Sequence, residues 1–421
     1  MKDETKCLHS GYTPGNTEPR VLPIVQSTTY VYDSAEEIGS VFDEPTKSLI
    51  YSRFANPTVM AVESKIAELE GGIGAMCTSS GQAATLISIL NICSSGDSIL
   101  SAAQIYGGSI NLFSFTLKKL GIECIFVDCN ASEEEINAAI KPTTRLVFGE
   151  ILSNPSLTVL DIEKFAKAAH SNNLPLIVDN TFPTPVLCKP FDFGADISVH
   201  STSKYMDGHA LQVGGVIVDS GNFDWTRGKY PEITEPDMSY HGIKYNEVYG
   251  KSAYIIKARM QLMRDFGAYP SAHSAFLLNI GLETLPLRME RYCENALKAA
   301  SYLKASDKVA NVNYPGLPDD RYYSLAQKYL KGSSGVITFT LKGGKNAAVR
   351  FIDSLKLTSN EIHVADIRTC ILHPATTTHR QLSEQQQLAA GVDPGMIRFS
   401  VGLEHIDDII QDLEQALRQI P

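Results

Sequence analysis

The sequence predicts an α/β fold, with a mostly parallel sheet in a large domain and a smaller α/β domain at the C-terminal end. Three observations carry this. Seven short apolar runs between residues 75 and 218 lack polar/apolar alternation, as strands do when helices cover both faces of their sheet. Polar, amphipathic segments such as 161–171 lie between some of them and supply crossover helices. The length of 421 residues exceeds what one core comfortably accommodates and favours two domains.

From the N-terminus, residues 1–56 read as an irregular arm, because Gly11, Pro14, Gly15, Pro19 and Pro23 break any long periodicity. The first helix opens at Asn56, an N-cap, with Pro57 in its first turn. Val59, Val62, Ile66 and Leu69 follow at helical spacing, and Gly71-Gly72 ends it. Strands are expected at 75–80, 98–102, 124–128, 145–150, 174–180, 197–201 and 213–218. Residues 221–250, rich in Pro and Tyr and holding Trp225, read as a long functional loop. A helical stretch over 254–263 links the domains. Strands at 335–340 and 397–401 and an amphipathic helix at 406–420 build the second. The expected division is an arm at 1–56, a large domain at 57–262 and a C-terminal domain at 263–421.

Composition narrows the function classes. A hydrophobic fraction of 43% and a charged fraction of 20% are those of an ordinary globular protein. A net charge of −10 disfavours nucleic acid or an anionic membrane as partner, though one small phosphate can still find a local basic pocket. The eight cysteines form no CxxC pair and no zinc spacing, so no metal is expected. The opening MKDETKCLHSG has no apolar signal core, and no run approaches a membrane span; a reducing cytoplasm is the expected compartment.

Chemistry gathers where strands end, since ligands of parallel sheets bind at the carboxyl ends of the strands. Ser79-Ser80-Gly81-Gln82 joins a buried strand to an apolar helix, where free N–H groups make either a phosphate cradle or a plain helix cap. Dinucleotide and P-loop glycine motifs are absent. Asp179 ends a strand, where its carboxylate can hold a pyridine nitrogen protonated or simply cap a turn. Lys204 follows the 197–201 strand among the hydroxyls of Ser201 and Ser203. It forms an imine only if its amine is neutral; a solvated surface lysine is the alternative. Arg53 suits a phosphate, or is a surface arginine. Arg398 sits on an apolar strand and needs an anion there, either a substrate carboxylate or an internal acid.

The order of these features resembles the Cys/Met-metabolism enzymes that use pyridoxal 5′-phosphate (PLP), the γ-family of fold type I. The motifs run from Tyr51-x-Arg53-x-x-Asn56-Pro57 through Ser79-Ser80-Gly81, Tyr106-Gly107-Gly108 and Glu150-x-x-x-Asn154-Pro155. They continue with Asp179-Asn180-Thr181-Phe182, His200-Ser201-Thr202-Ser203-Lys204-Tyr205 and the 373–379 run from His373 to His379. The resemblance implies a seven-stranded large-domain sheet, PLP bound as a Schiff base on Lys204, and Asp179 at the pyridine nitrogen. It implies Tyr106 stacked on the ring and assisting catalysis, and Asn154 beside the phenolic oxygen and the substrate. Ser80, Gly81, Gln82, Thr181, Ser201 and Ser203 are implied around the cofactor. Tyr51 and Arg53 would reach the phosphate of a neighbouring subunit in a homo-oligomer, a dimer of dimers. Arg398 and Thr369 would bind the amino-acid substrate.

Within the family the chain looks most like the branch that joins sulfide to O-acetylhomoserine. The matching stretches are Tyr106–Phe113, the segment from Phe223-Asp224-Trp225 to Gly242, and Arg264-Asp265-Phe266-Gly267. The implied reaction is γ-replacement, giving homocysteine from sulfide or methionine from methanethiol, with acetate released. Methionine γ-lyase and the cystathionine γ-synthases and γ-lyases share the same core residues and stay open as alternatives. Gly208-His209-Ala210-Leu211 departs from the usual small polar run and bears on the pocket edge.

Overall fold

The computed structural model describes residues 1–43, 49–378, 380 and 392–420. His379, the last residue of the 373–379 motif, lies outside them. The arm is less irregular than its prolines suggest. It contains helices α1 (Asp3–His9) and α2 (Ala35–Asp43), each opening with two acidic residues that complement the helix dipole. The glycines and prolines fall between these helices, so the breakers were real but local. Cys7 buries one face of α1 completely, and Lys6 donates to the Glu68 carbonyl.

Helix α3 (Pro57–Glu70) forms as its sequence dictates. The Asn56 side chain accepts from the Thr58 and Val59 N–H groups, and Gly71 closes the helix at φ 85°, a conformation that suits glycine. Then come β1 (Gly74–Thr78), α4 (Gly81–Leu90), β2 (Ser98–Ala102), β3 (Glu123–Val127), β4 (Thr144–Glu150), β5 (Leu176–Asp179), β6 (Ile197–Ser201) and β7 (Gly215–Asp219). They form one sheet of order β1-β7-β6-β5-β4-β2-β3. Only β7 runs against its neighbours, so β1 points the same way as β4, β5 and β6. Their carboxyl ends therefore share one edge.

The second sheet contains β8 (Val309–Asn313), β9 (Val336–Leu341), β10 (Ser359–Asn360), β11 (Cys370–Leu372) and β12 (Met396–Ser400), in the order β10-β11-β12-β9-β8. It is antiparallel except for β10 against β11. Its core packs Ile337, Phe339, Phe351, Ile397 and Phe399 beneath the final helix Ile406–Leu417. The 21-residue helix Leu285–Ala305 belongs to both cores: Leu285, Met289 and Tyr292 pack into the first, Ala299, Ala300 and Leu303 into the second. The two cores thus meet along this helix, and the first also takes in Tyr322, Tyr329 and Val336 beyond it.

Candidate active site

A cavity of about 450 Å³ opens at the shared strand edge, closed on the far side by β12 and the 362–364 segment. Every site residue expected from the sequence lines it except Tyr51, Arg53 and Thr369. Each arrives by a local rule. β5 delivers Asp179, β4 delivers Glu150, and β6 delivers Ser201 with Ser203 and Lys204 just beyond. At the end of β1 the Ser80 hydroxyl caps α4 by accepting from the Ala83 N–H at 3.1 Å. The Gly81 and Gln82 N–H groups, in the first turn, have no intrahelical acceptor and face the cavity. A Cβ on Gly81 would lie 2.7 Å from the Cβ of Ser201, so only glycine lets α4 approach β6 this closely.

Electrostatics sort the ionisable groups. Burial pushes the Asp179 carboxyl above its ordinary range, although it accepts from the Thr181 N–H at 2.9 Å. Glu150, opposite Asp179 in the sheet register, is pushed up further by burial and by the Asp179 charge; it accepts from the Tyr106 N–H. Burial, and secondarily the Arg398 charge, brings the Lys204 ammonium down to about 8. A larger fraction of its amine is therefore neutral near physiological pH than in a solvated lysine, which favours imine formation.

Arg398 is buried on β12, and its Nη2 donates to the Ile362 and His363 carbonyls at 2.8 and 3.0 Å. Nη1 reaches the Asn154 Oδ1 at 3.5 Å. Among the described residues no carboxylate pairs with it, so the cavity wall carries a guanidinium whose charge has no acid partner. Tyr106 is 46% exposed, its ring available to a ligand.

Three expected residues lie elsewhere. Thr369 is not among the cavity-lining residues: its hydroxyl donates to Glu404 at 2.7 Å and accepts from the Gly402 N–H. Tyr51 and Arg53 line a separate groove with Val25, Asn56 and Tyr269. There the Arg53 guanidinium donates to the Arg264 carbonyl and stacks over Tyr51. Sequence reasoning in turn missed His363, whose Nδ1 is 3.3 Å from the Lys204 Nζ, and gave no role to Glu150. Glu150 was visible as a polar residue ending an apolar strand; nothing in the irregular run 361–366 marks His363.

PLP fits the residues present. Its phosphate suits the α4 N-terminus with Ser201 and Ser203, its pyridine nitrogen suits the buried Asp179 carboxylate, and its aldehyde suits the neutral Lys204 amine. The Ser203 hydroxyl accepts from the Gly214 N–H at 2.9 Å and donates to the Gly214 carbonyl at 3.3 Å, which fixes it in the cavity wall.

Comparison with known proteins agrees. Residues 4–418 match the family model described as Cys/Met metabolism PLP-dependent enzyme. An O-acetyl-L-homoserine sulfhydrylase of Leptospira meyeri is 44% identical over 100% of this chain and 97% of its own. A protein of the same name from Corynebacterium glutamicum is 45% identical over 99% of this chain and 97% of its own. Among solved structures, one from Campylobacter jejuni, assigned as an O-acetylhomoserine (thiol)-lyase and holding a pyridoxyl-lysine monophosphate, superposes with a TM-score of 0.95. It is 35% identical and covers 99% of this chain and 100% of its own.

Proposed function

The chain belongs to the Cys/Met metabolism PLP-dependent enzyme family, and from that premise we propose that it performs γ-replacement, converting O-acetyl-L-homoserine and sulfide to L-homocysteine and acetate. Methanethiol in place of sulfide gives methionine by the same replacement. The observation that carries the reading is full-length identity of 44% and 45% to two relatives named for this reaction. It is a step of methionine biosynthesis. The Cγ–O bond breaks and a Cγ–S bond forms, while the proton of the sulfur nucleophile balances the departing acetate.

Bound PLP would supply an electron sink that makes the Cα and then the Cβ proton acidic, and the electrons left at Cβ would expel acetate from Cγ. The chain's own residues do the rest. Lys204 carries the cofactor and, once its amine is free, takes the proton from Cα. Asp179 holds the proton on the ring nitrogen. Arg398 grips the α-carboxylate, with Asn154 beside it, and so orients the Cα–H bond. Tyr106 covers the ring face and assists departure of the leaving group. The α4 N-terminus, with Gly81, Gln82, Ser201 and Ser203, anchors the phosphate.

The active assembly is a homo-oligomer, a dimer of dimers, working in the cytoplasm. Arg53 supports this: it is directed away from its own chain's Lys204 cavity, and its Nε is buried without a hydrogen-bond partner. Among the described residues no helix is long and apolar enough to cross a membrane.

A product assay tests the reaction. The purified protein is given O-acetylhomoserine, O-succinylhomoserine, cystathionine or methionine, each with and without sulfide. Homocysteine from O-acetylhomoserine plus sulfide is expected to outpace α-ketobutyrate from methionine, because acetate leaves far more readily than a thiolate from a thioether. Methionine turnover equal to or above the sulfhydrylation rate would instead make the enzyme a lyase.

A further inference from the structure

His363 stands beside the reacting lysine without a role in the chemistry above. It lies between β10 and β11, where the chain turns back through Ala365 at φ 67°. Its backbone is pinned from two sides. The His363 carbonyl accepts from Arg398 Nη2 at 3.0 Å, and the Ala365 N–H donates to the Ser400 hydroxyl at 2.8 Å. The imidazole therefore has little freedom, and it is held facing Lys204 across the cavity.

The protonation state follows from the surroundings. The charged groups acting on the imidazole are Lys204, Arg398 and Arg368, with Asp366 the opposing acid. Burial and then the Lys204 charge bring His363 down to about 4, so the ring is neutral throughout the working range. A neutral imidazole has one acceptor nitrogen. Nδ1 lies 3.3 Å from the Lys204 Nζ, and a lysine ammonium has only protons to offer, so Nδ1 is the acceptor facing it. The remaining proton then resides on Nε2, which is buried without a hydrogen-bond partner.

We propose that His363 is a positioning residue for Lys204: its Nδ1 accepts an N–H of the lysine side chain, fixing the rotamer and aiming the amine lone pair into the cavity. The inference rests on the reading of Lys204 as the cofactor-bearing residue. Four methylenes give a lysine many rotamers, and ordering it costs on the order of 1.5–2 kcal/mol. An acceptor clamped by Arg398 offsets that cost and couples the lysine to the residue that receives the substrate carboxylate. The clamp acts whenever the Lys204 amine is free, both during cofactor capture and after the substrate amine has taken its place.

The test uses apoprotein and saturating PLP, so that the first-order rise of the yellow imine absorption reports amine attack rather than phosphate binding. His363→Ala and His363→Gln are expected to slow the rise about tenfold, the worth of one lost hydrogen bond. His363→Asn, whose Oδ1 falls where Nδ1 stood, is expected to stay within about threefold of the parent. The same order is expected in kcat of the loaded enzyme, with KM for the amino acid nearly unchanged. Should His363→Ala fail to fold, the contrast between His363→Gln and His363→Asn decides alone. Equal capture rates across the set overturn the inference while leaving Lys204 as the cofactor lysine. Slowing that His363→Asn does not rescue also overturns it. If borohydride fixes the cofactor elsewhere than Lys204, the reading and the inference fall together.

Discussion

At the scale of single residues, the account depends on Lys204 being a weak base. Burial and the Arg398 guanidinium both destabilise its ammonium, so the shift is downward and the neutral fraction at any given pH is larger than for a solvated lysine. The rate of PLP capture by apoprotein is therefore expected to rise with pH, reach half its limit near 8 and level off above it. A midpoint near the ordinary lysine value of about 10.4 would show that the amine is solvated after all. Much of this site was legible before any coordinates. Asp179, Lys204 and Arg398 each stood at or on an apolar strand, where a charged group needs a ligand or partner to justify its burial. His363 was not legible because its role depends on a contact with a residue 159 positions away, set by an irregular segment with no periodicity. The bond of Thr369 to Glu404 was equally hidden, since it joins residues 35 positions apart.

At the scale of elements, the strand ends and one helix start do the assembling. The closest approach is α4 against β6, where Gly81 meets Ser201. Gly81→Ala forces these elements apart, and overpacking of this kind costs about 1–3 kcal/mol. Its denaturation midpoint in urea is expected to fall, and its PLP affinity to fall with it, because the first-turn N–H groups move off the phosphate. An unchanged midpoint and affinity would mean that the loop can relax freely. The sequence read these elements closely: β2 and β6 have the expected bounds, each a short run with apolar residues at its centre and buried over nearly its whole length. β8, β10 and β11 escaped notice, β11 because its apolar run is only three residues long. β8 interleaves asparagine and valine and is half exposed, and β10 has only two residues, so neither presents an apolar run. The helices of the arm escaped too, since α1 spans seven residues and draws its stability from packing on α3 and the long helix rather than from its own propensity.

At the scale of the whole molecule, the account requires more than one chain. Arg53 and Tyr51 sit in their own groove, apart from the cavity that holds Lys204. Mixing inactive Arg53→Ala subunits with inactive Lys204→Ala subunits is expected to restore part of the activity, because some hybrid sites combine an intact arm with an intact lysine. No recovery despite demonstrated subunit exchange would confine Arg53 to a role within its own chain. The central claim, that the strand edge gathers a PLP site around Lys204, is tested most directly by borohydride reduction of the yellow holoprotein followed by peptide mapping. Lys257 makes the measurement discriminating: burial brings it too down to about 8, but it donates to Asn91 and Gln261 in the core and lines no part of the cavity. The account predicts a single pyridoxyl label on the peptide containing Lys204. A label on Lys257 or any other lysine, or a protein that takes up no PLP, would contradict it.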